Sequence, residues 1–184
     1  MKNKILTLAL ILTTGIAAIA QPAGKIKSTK THFKFYSHTT LEDIEASNYK
    51  AVGALNKSTG DVIFSVPMQS FEFEKAKMQQ HYNSPKFLDT KKFPKSKFVG
   101  RITDLNDVNF NKNGEYNVQV EGNMTIHGET QNIKEPATIT VNDDNIELKT
   151  KFNLKLTDYG IAFKNGKPST NIAKVIEISA VAEY

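Results

Sequence analysis

Four histidines, at positions 32, 38, 81 and 127, are the side chains best suited to proton transfer or metal ligation near neutral pH. None stands four residues from another, so no pair shares a helix face as the H-E-x-x-H zinc motif requires. His32, His38 and His127 fall on the polar phase of extended strands. His81 ends a helix-compatible stretch beside Tyr82. There a cation suits the negative end of the helix dipole, or a polar group meets the mouth of a cavity. The carboxylate pairs Glu42-Asp43 and Asp143-Asp144 fall in turn segments, where adjacent acids solvate and cap. The chain has no cysteine, which removes thiolate nucleophiles, disulfides and cysteine zinc sites. It carries no G-x-S-x-G elbow and no phosphate-binding G-x-x-x-x-G-K-[ST] loop. These residues imply no enzyme, no metal site and no resident cofactor.

Charge narrows the partners. The formal net charge is +5 and almost all of the positive charge is lysine; Arg101 is the single arginine. Base readers favour arginine for its bidentate geometry, so nucleic acid is not an expected partner. Lysines on outer strand faces explain the balance, with a mild preference for anionic membrane surfaces or head groups.

The N-terminus comes before any fold reasoning. Lys2 and Lys4 precede an uncharged apolar run, Ile5 to Ile19, and Ala18-Ile19-Ala20 supplies a small-x-small cleavage pattern. The run is shorter than the ~20 residues that span a bilayer. Residues 1–20 are expected to be a signal peptide cleaved after Ala20, giving a periplasmic protein in preference to one released to the medium. Cleavage takes Lys2 and Lys4 with it, lowering the formal charge by two. Residues 21–30 read as a short polar lead and 31–184 as one domain.

Most of that domain alternates with period two. Tyr116, Val118, Val120, Gly122, Met124 and Ile126 are separated by polar residues; Ile146 to Leu156 and Ile176 to Ala182 alternate in the same way, save for Val181. Period two means strands with one buried and one wet face. Shorter candidates are Phe33 to Tyr36, Asp61 to Val66, Phe98 to Ile102 and Ala137 to Val141. Turn chemistry at 56–60, 111–114 and 142–145 separates the runs. Residues 74–90 break the pattern. Glu74 to Tyr82 is helix-compatible, Asn83-Ser84-Pro85 stops it, and a second helical turn is compatible with Ser84 to Asp89. Long one-sided strands leave open edges in a flat sheet, so the expectation is an all-β fold: a single antiparallel eight-stranded barrel with a short helical insertion.

The inward phase holds almost no titratable group. Small residues (Gly100, Gly122, Ala137, Thr150, Ala180, Ala182) interrupt the large ones. An eight-stranded barrel is either just filled by its side chains or holds one small guest, and this pattern leaves both open.

The segment from Met78 to Phe98 carries His81, Ser84, Phe87, Leu88, Asp89, Phe93, Pro94 and Phe98 at a spacing that resembles the signature of the YceI-like family. Val66-Pro67-Met68-Gln69-Ser70-Phe71, Gly122 to Thr130 with its Thr125-Ile126-His127-Gly128 core, and Asp158-Tyr159-Gly160-Ile161 followed by 175–182 are similar to three further family segments, in order. The chain departs from the family in having no Trp and in placing Gln79-Gln80 where Arg-Asp is usual. The resemblance implies a lipocalin-like barrel that binds a polyisoprenoid, quinone-like or similar amphipathic lipid, with no catalytic residues. It also implies that Phe87, Leu88, Phe93 and Phe98 line or plug one barrel end. Ser84 and Asp89 read as helix-end caps, and His127 as a hydrogen-bonding partner within the Gly128 turn. The expected ligand contacts are Phe33, Phe35, Phe64, Phe71 and Phe73; His81, Tyr82, Phe87, Leu88 and Phe93; and Phe98, Met124, Ile126, Phe152, Leu154 and Ile178. The alternative is a non-catalytic structural or stress-related interaction barrel with a filled core. Transient contact with a membrane surface or membrane protein fits either, and a dimer is as compatible with the pattern as a monomer.

Overall fold

The computed structural model describes residues 24–161 and 172–184. The expected signal peptide, 1–20, lies outside the described residues. Eleven strands follow one another: β1 (Lys25–Lys27), β2 (Lys30–His38), β3 (Asp43–Asn48), β4 (Val52–Asn56), β5 (Asp61–Pro67), β6 (Glu72–Phe73), β7 (Lys95–Ile102), β8 (Gly114–Ile126), β9 (Glu129–Asn142), β10 (Asn145–Lys155) and β11 (Val175–Glu183). The helix α1 (Ala76–Asn83) stands between β6 and β7. No helix among the described residues is long and apolar enough to cross a membrane.

All pairings are antiparallel, in the order β1-β4-β5-β7-β8-β9-β10-β11-β2-β3-β6. The result is a strongly curled eleven-stranded sheet, a half-barrel, and not the expected eight-stranded barrel. Three additions account for the difference. Lys25–Lys27, in the stretch read as a polar lead, is itself a strand on β4, and Ser28-Thr29 separate it from β2. The polar stretch from Asp43 bends at a corner, Tyr49 to Ala51, so it divides into β3 and β4. Buried Asn48 holds that corner: its Nδ2 donates to Pro67 O (2.8 Å) and its Oδ1 accepts from Lys50 N–H (2.9 Å). Glu72–Phe73 adds a two-residue edge strand on β3.

Curling needs places where strands come close. Gly100 and Gly122 face one another across β7 and β8. A Cβ built on Gly122 would stand 2.4 Å from Gly100 Cα and 2.5 Å from Val99 O. Only glycine fits at this contact, a backbone approach no L side chain can share. A two-residue hairpin joins β8 to β9 through His127 (φ 53°) and Gly128 (φ 85°), the left-handed pair that matches strand twist.

The apolar side chains fall into two clusters. One is densely packed at one end of the sheet, where Leu55, Val62, Ile139 and Val141 are all but inaccessible. The other surrounds Tyr82, with Phe71, Leu88, Leu154, Leu156 and Tyr159. The helical insertion joins this second end. The segment after α1 folds as turns and not as a second helix: Phe87 and Asp89 N–H both donate to Ser84 O. Buried Thr90 donates to Asn83 Oδ1 (2.8 Å) and accepts from Gln69 Nε2 through its carbonyl (3.3 Å), tying the turns to the wall.

Candidate functional site

The concave face of the sheet encloses a cavity of about 780 Å³, at the upper end of the range for small-molecule sites. It runs from α1 to the packed cluster. Of the two interiors the pattern leaves open, this volume matches the one with room for a guest. The small residues at Ala137, Thr150 and Ala180 leave room that the surrounding Phe and Leu side chains do not occupy.

Strand alternation builds the walls. Along β2, Phe33 and Phe35 point in with buried Thr31 and Ser37, while Lys34 pairs outside with Glu45 (2.6 Å). Phe64 enters from β5 and Phe98 from β7, a directly opposed pair. Met124 and Ile126 come from β8, Phe152 and Leu154 from β10, and Ile178 from β11.

Tyr82 closes the α1 end. It is the one buried residue of the helix, and its ring stacks on Phe35 (5.9 Å, 11°) and meets Phe71, Phe73 and Phe87 at 5.7, 5.0 and 6.4 Å. Burial pushes its phenol well above the ordinary range. Leu88 is buried beneath the same lid. His81 lies exposed at the rim, with Ser84 Oγ donating to its carbonyl (2.8 Å), so Ser84 caps the helix end as its residue type predicts. Asp89 does not cap with its side chain. It takes the left-handed conformation (φ 43°), and its carbonyl receives Lys92 and Phe93 N–H.

Phe93 is the expected contact that the structure moves elsewhere. Its ring meets His127 edge-on at 4.6 Å and packs over Gly128, outside the cavity lining. The turn ending at Phe93 aims the ring at the β8–β9 hairpin, where the glycine leaves a seat. His127 likewise bonds away from its own turn: Nδ1–H donates to Tyr159 O at 3.3 Å. The remaining histidines are on the outer face. His32 pairs with Ser47 Oγ (3.0 Å) and stacks on Tyr49; His38 pairs with Asp43 (2.6 Å) and holds that carboxyl below its usual range. Among the described residues no three His, Cys, Asp or Glu side chains gather to hold a metal.

Sequence reasoning left out one side chain of a different kind. Glu135, on β9, is in phase with Ala137, Ile139 and Val141 and lines the cavity. Extending the alternation of 137–141 back by one step would have placed it inside. Val66, Met68, Met78, Ile133 and Ile161 also line the space.

No curated protein sequence matches the chain. Solved structures do. The Burkholderia cenocepacia protein BcnA superposes with a TM-score of 0.69 at 16% identity, over 84% of this chain and 96% of that one. A polyisoprenoid binding domain from Saccharophagus degradans gives 0.73 at 11%, over 88% and 97%. The Campylobacter jejuni YceI protein gives 0.61 at 15%, over 97% and 98%. At these identities the likeness is one of fold. The YceI-like domain model matches residues 24–184.

Proposed function

Because this chain belongs to the YceI-like domain family, we propose that it is a non-enzymatic binding or carrier protein for a polyisoprenoid, quinone-like or similar amphipathic lipid. The observation that carries this reading is the 780 Å³ cavity, walled by Phe, Leu, Ile and Met and closed by the Tyr82 cluster. The Saccharophagus neighbour, described as polyisoprenoid binding, supports the same class of guest. The energetics agree. Burying a fifteen-carbon chain at ~0.8 kcal/mol per carbon yields about 12 kcal/mol. An association cost of ~4 kcal/mol leaves about 8, or micromolar affinity.

Export to the periplasm, directed by residues 1–20, and transient docking on a membrane complete the proposal. The rim around the opening favours an anionic surface. Lys86 and Lys97, both exposed, line the cavity, as does Glu42, which pairs with Lys75 (3.6 Å); Lys77, Lys91, Lys92 and Lys95 are exposed on the same stretch of chain. Each lysine near such a surface contributes ~1 kcal/mol. The test is organic extraction and mass spectrometry of protein purified from its own host. An isoprenoid or quinone-like lipid in stoichiometric amount is the expected result. Recovery of none from protein that binds no added isoprenoid would overturn the reading.

A further inference from the structure

The cavity wall has a seam. β9 pairs with β8 along its whole length, from Glu129 to Val141, but with β10 only as far as Ala137 opposite Thr150. β10 continues to Lys155 against β11. The two strands therefore part beyond this point. Pro136 stands where they separate; it has no N–H to continue a ladder. Side chains bridge the seam at its two ends. Thr150 Oγ1 donates to Pro136 O (2.7 Å), and Gln131 Nε2 donates to Asp158 O (2.8 Å).

Glu135 stands at the root of this seam, on the lumen side. Among the described residues it makes no hydrogen bond and no ion pair, and its neighbours in the wall are Ile133, Ala137, Val120 and Thr150. Unpaired carboxylates are costly in apolar surroundings. Burial raises its pKa. Tyr159, whose hydroxyl is buried without a partner among the described residues, has its pKa raised to about 12, chiefly by its own burial and then by the charges of Asp158 and Glu135.

We propose that Glu135 is the polar contact that selects the guest, accepting a hydrogen bond from a hydroxyl or ammonium group carried inward on the lipid. This rests on the lipid-binding reading and narrows it to neutral or cationic donors, because a phosphate brought to an unpaired carboxylate is repelled. Phosphate-ended lipids bind with their heads out among the rim lysines and make no use of Glu135.

Three probes with one fifteen-carbon chain test this: farnesol, farnesylamine and farnesyl monophosphate, each titrated in competition with a fluorescent apolar dye. Glu135→Gln should weaken the amine about tenfold, the margin of a charge-assisted over a neutral hydrogen bond, and leave the alcohol within about threefold. Glu135→Leu should weaken alcohol and amine alike. The phosphate should keep or improve its affinity in both variants, which also shows that they fold. Equal changes in all three probes, or an amine indifferent to Glu135, would overturn the assignment while leaving the cavity reading intact. Failure of all three to bind the unaltered protein would overturn both.

Discussion

Ala180 offers a substitution whose sign separates a lumen from a core. It sits mid-strand on β11, opposite Phe33 on one side and Thr150 on the other, and its methyl group faces the cavity. Ala180→Leu adds three carbons. Placed in open apolar space they bury up to ~0.8 kcal/mol each, so about 2 kcal/mol of added stability is the ceiling. Forced into a filled core, the same carbons cost about 1–3 kcal/mol through overpacking. For a domain of this size 1 kcal/mol moves Tm by about 2–4 °C, so the two cases lie on opposite sides of the unaltered protein. The expected outcome is a Tm unchanged or raised by a few degrees, together with weaker farnesol binding. Gly122→Ala is the companion, because its Cβ would strike the Gly100 backbone at 2.4 Å; it should lower Tm whatever the lumen holds. The assay is thermal unfolding by circular dichroism beside the dye competition. A Tm loss at Ala180→Leu as large as at Gly122→Ala, with farnesol affinity untouched, would refute the argument.

Two further outcomes follow from the site. Tyr82→Ala removes the ring that meets four phenylalanines and should cost about 3–5 kcal/mol and speed ligand release; Tyr82→Phe keeps the ring and should stay within ~1 kcal/mol, both read by thermal unfolding and stopped-flow dye release. Glu135→Gln should stabilise the protein at pH 8. The folded-state pKa of Glu135 is raised, so its ionised form opposes folding above that value, and the opposition vanishes as pH falls below the unfolded value near 4.5. A Tm difference that does not shrink between pH 8 and pH 4 would contradict this sign.

What the sequence disclosed follows the length of its strands. In β8, β10 and β11 alternation persists for nine residues or more, so one phase error would expose every apolar side chain, and the inward faces were readable. β3 and β4 were not. They are only six and five residues long, and their corner depends on Asn48 reaching Pro67, nineteen positions away. Phe87 and Phe93 look alike in sequence, yet one faces the lumen and the other a hairpin glycine. The turn geometry that separates them turns on Asp89 adopting a positive φ, which no spacing rule announces. Glu135 is legible in phase, one step before the Ala137 to Val141 alternation, and Pro136 lies between them. In the structure Pro136 ends only the pairing toward β10.

The cavity also bears on why the two clusters differ. If 780 Å³ were a void left by truncated side chains, at ~24 cal/mol per Å³ it would cost about 19 kcal/mol, more than the ~5–15 kcal/mol of net stability a domain has. A lumen open to solvent differs from such an enclosed void, because its walls are not required to close on missing side chains. Its walls must stand without filling, and the structure shows how. Thirteen consecutive residue pairs join β8 to β9, and nine join β10 to β11. The close packing at the other end, from Leu55 to Val141, anchors those ladders. A guest then adds stability by mass action alone, ~2.7 kcal/mol at a hundred times its dissociation constant, without being needed to hold the sheet's shape. Such a division lets a carrier release its cargo and stay folded, which a barrel whose walls depended on their contents could not do.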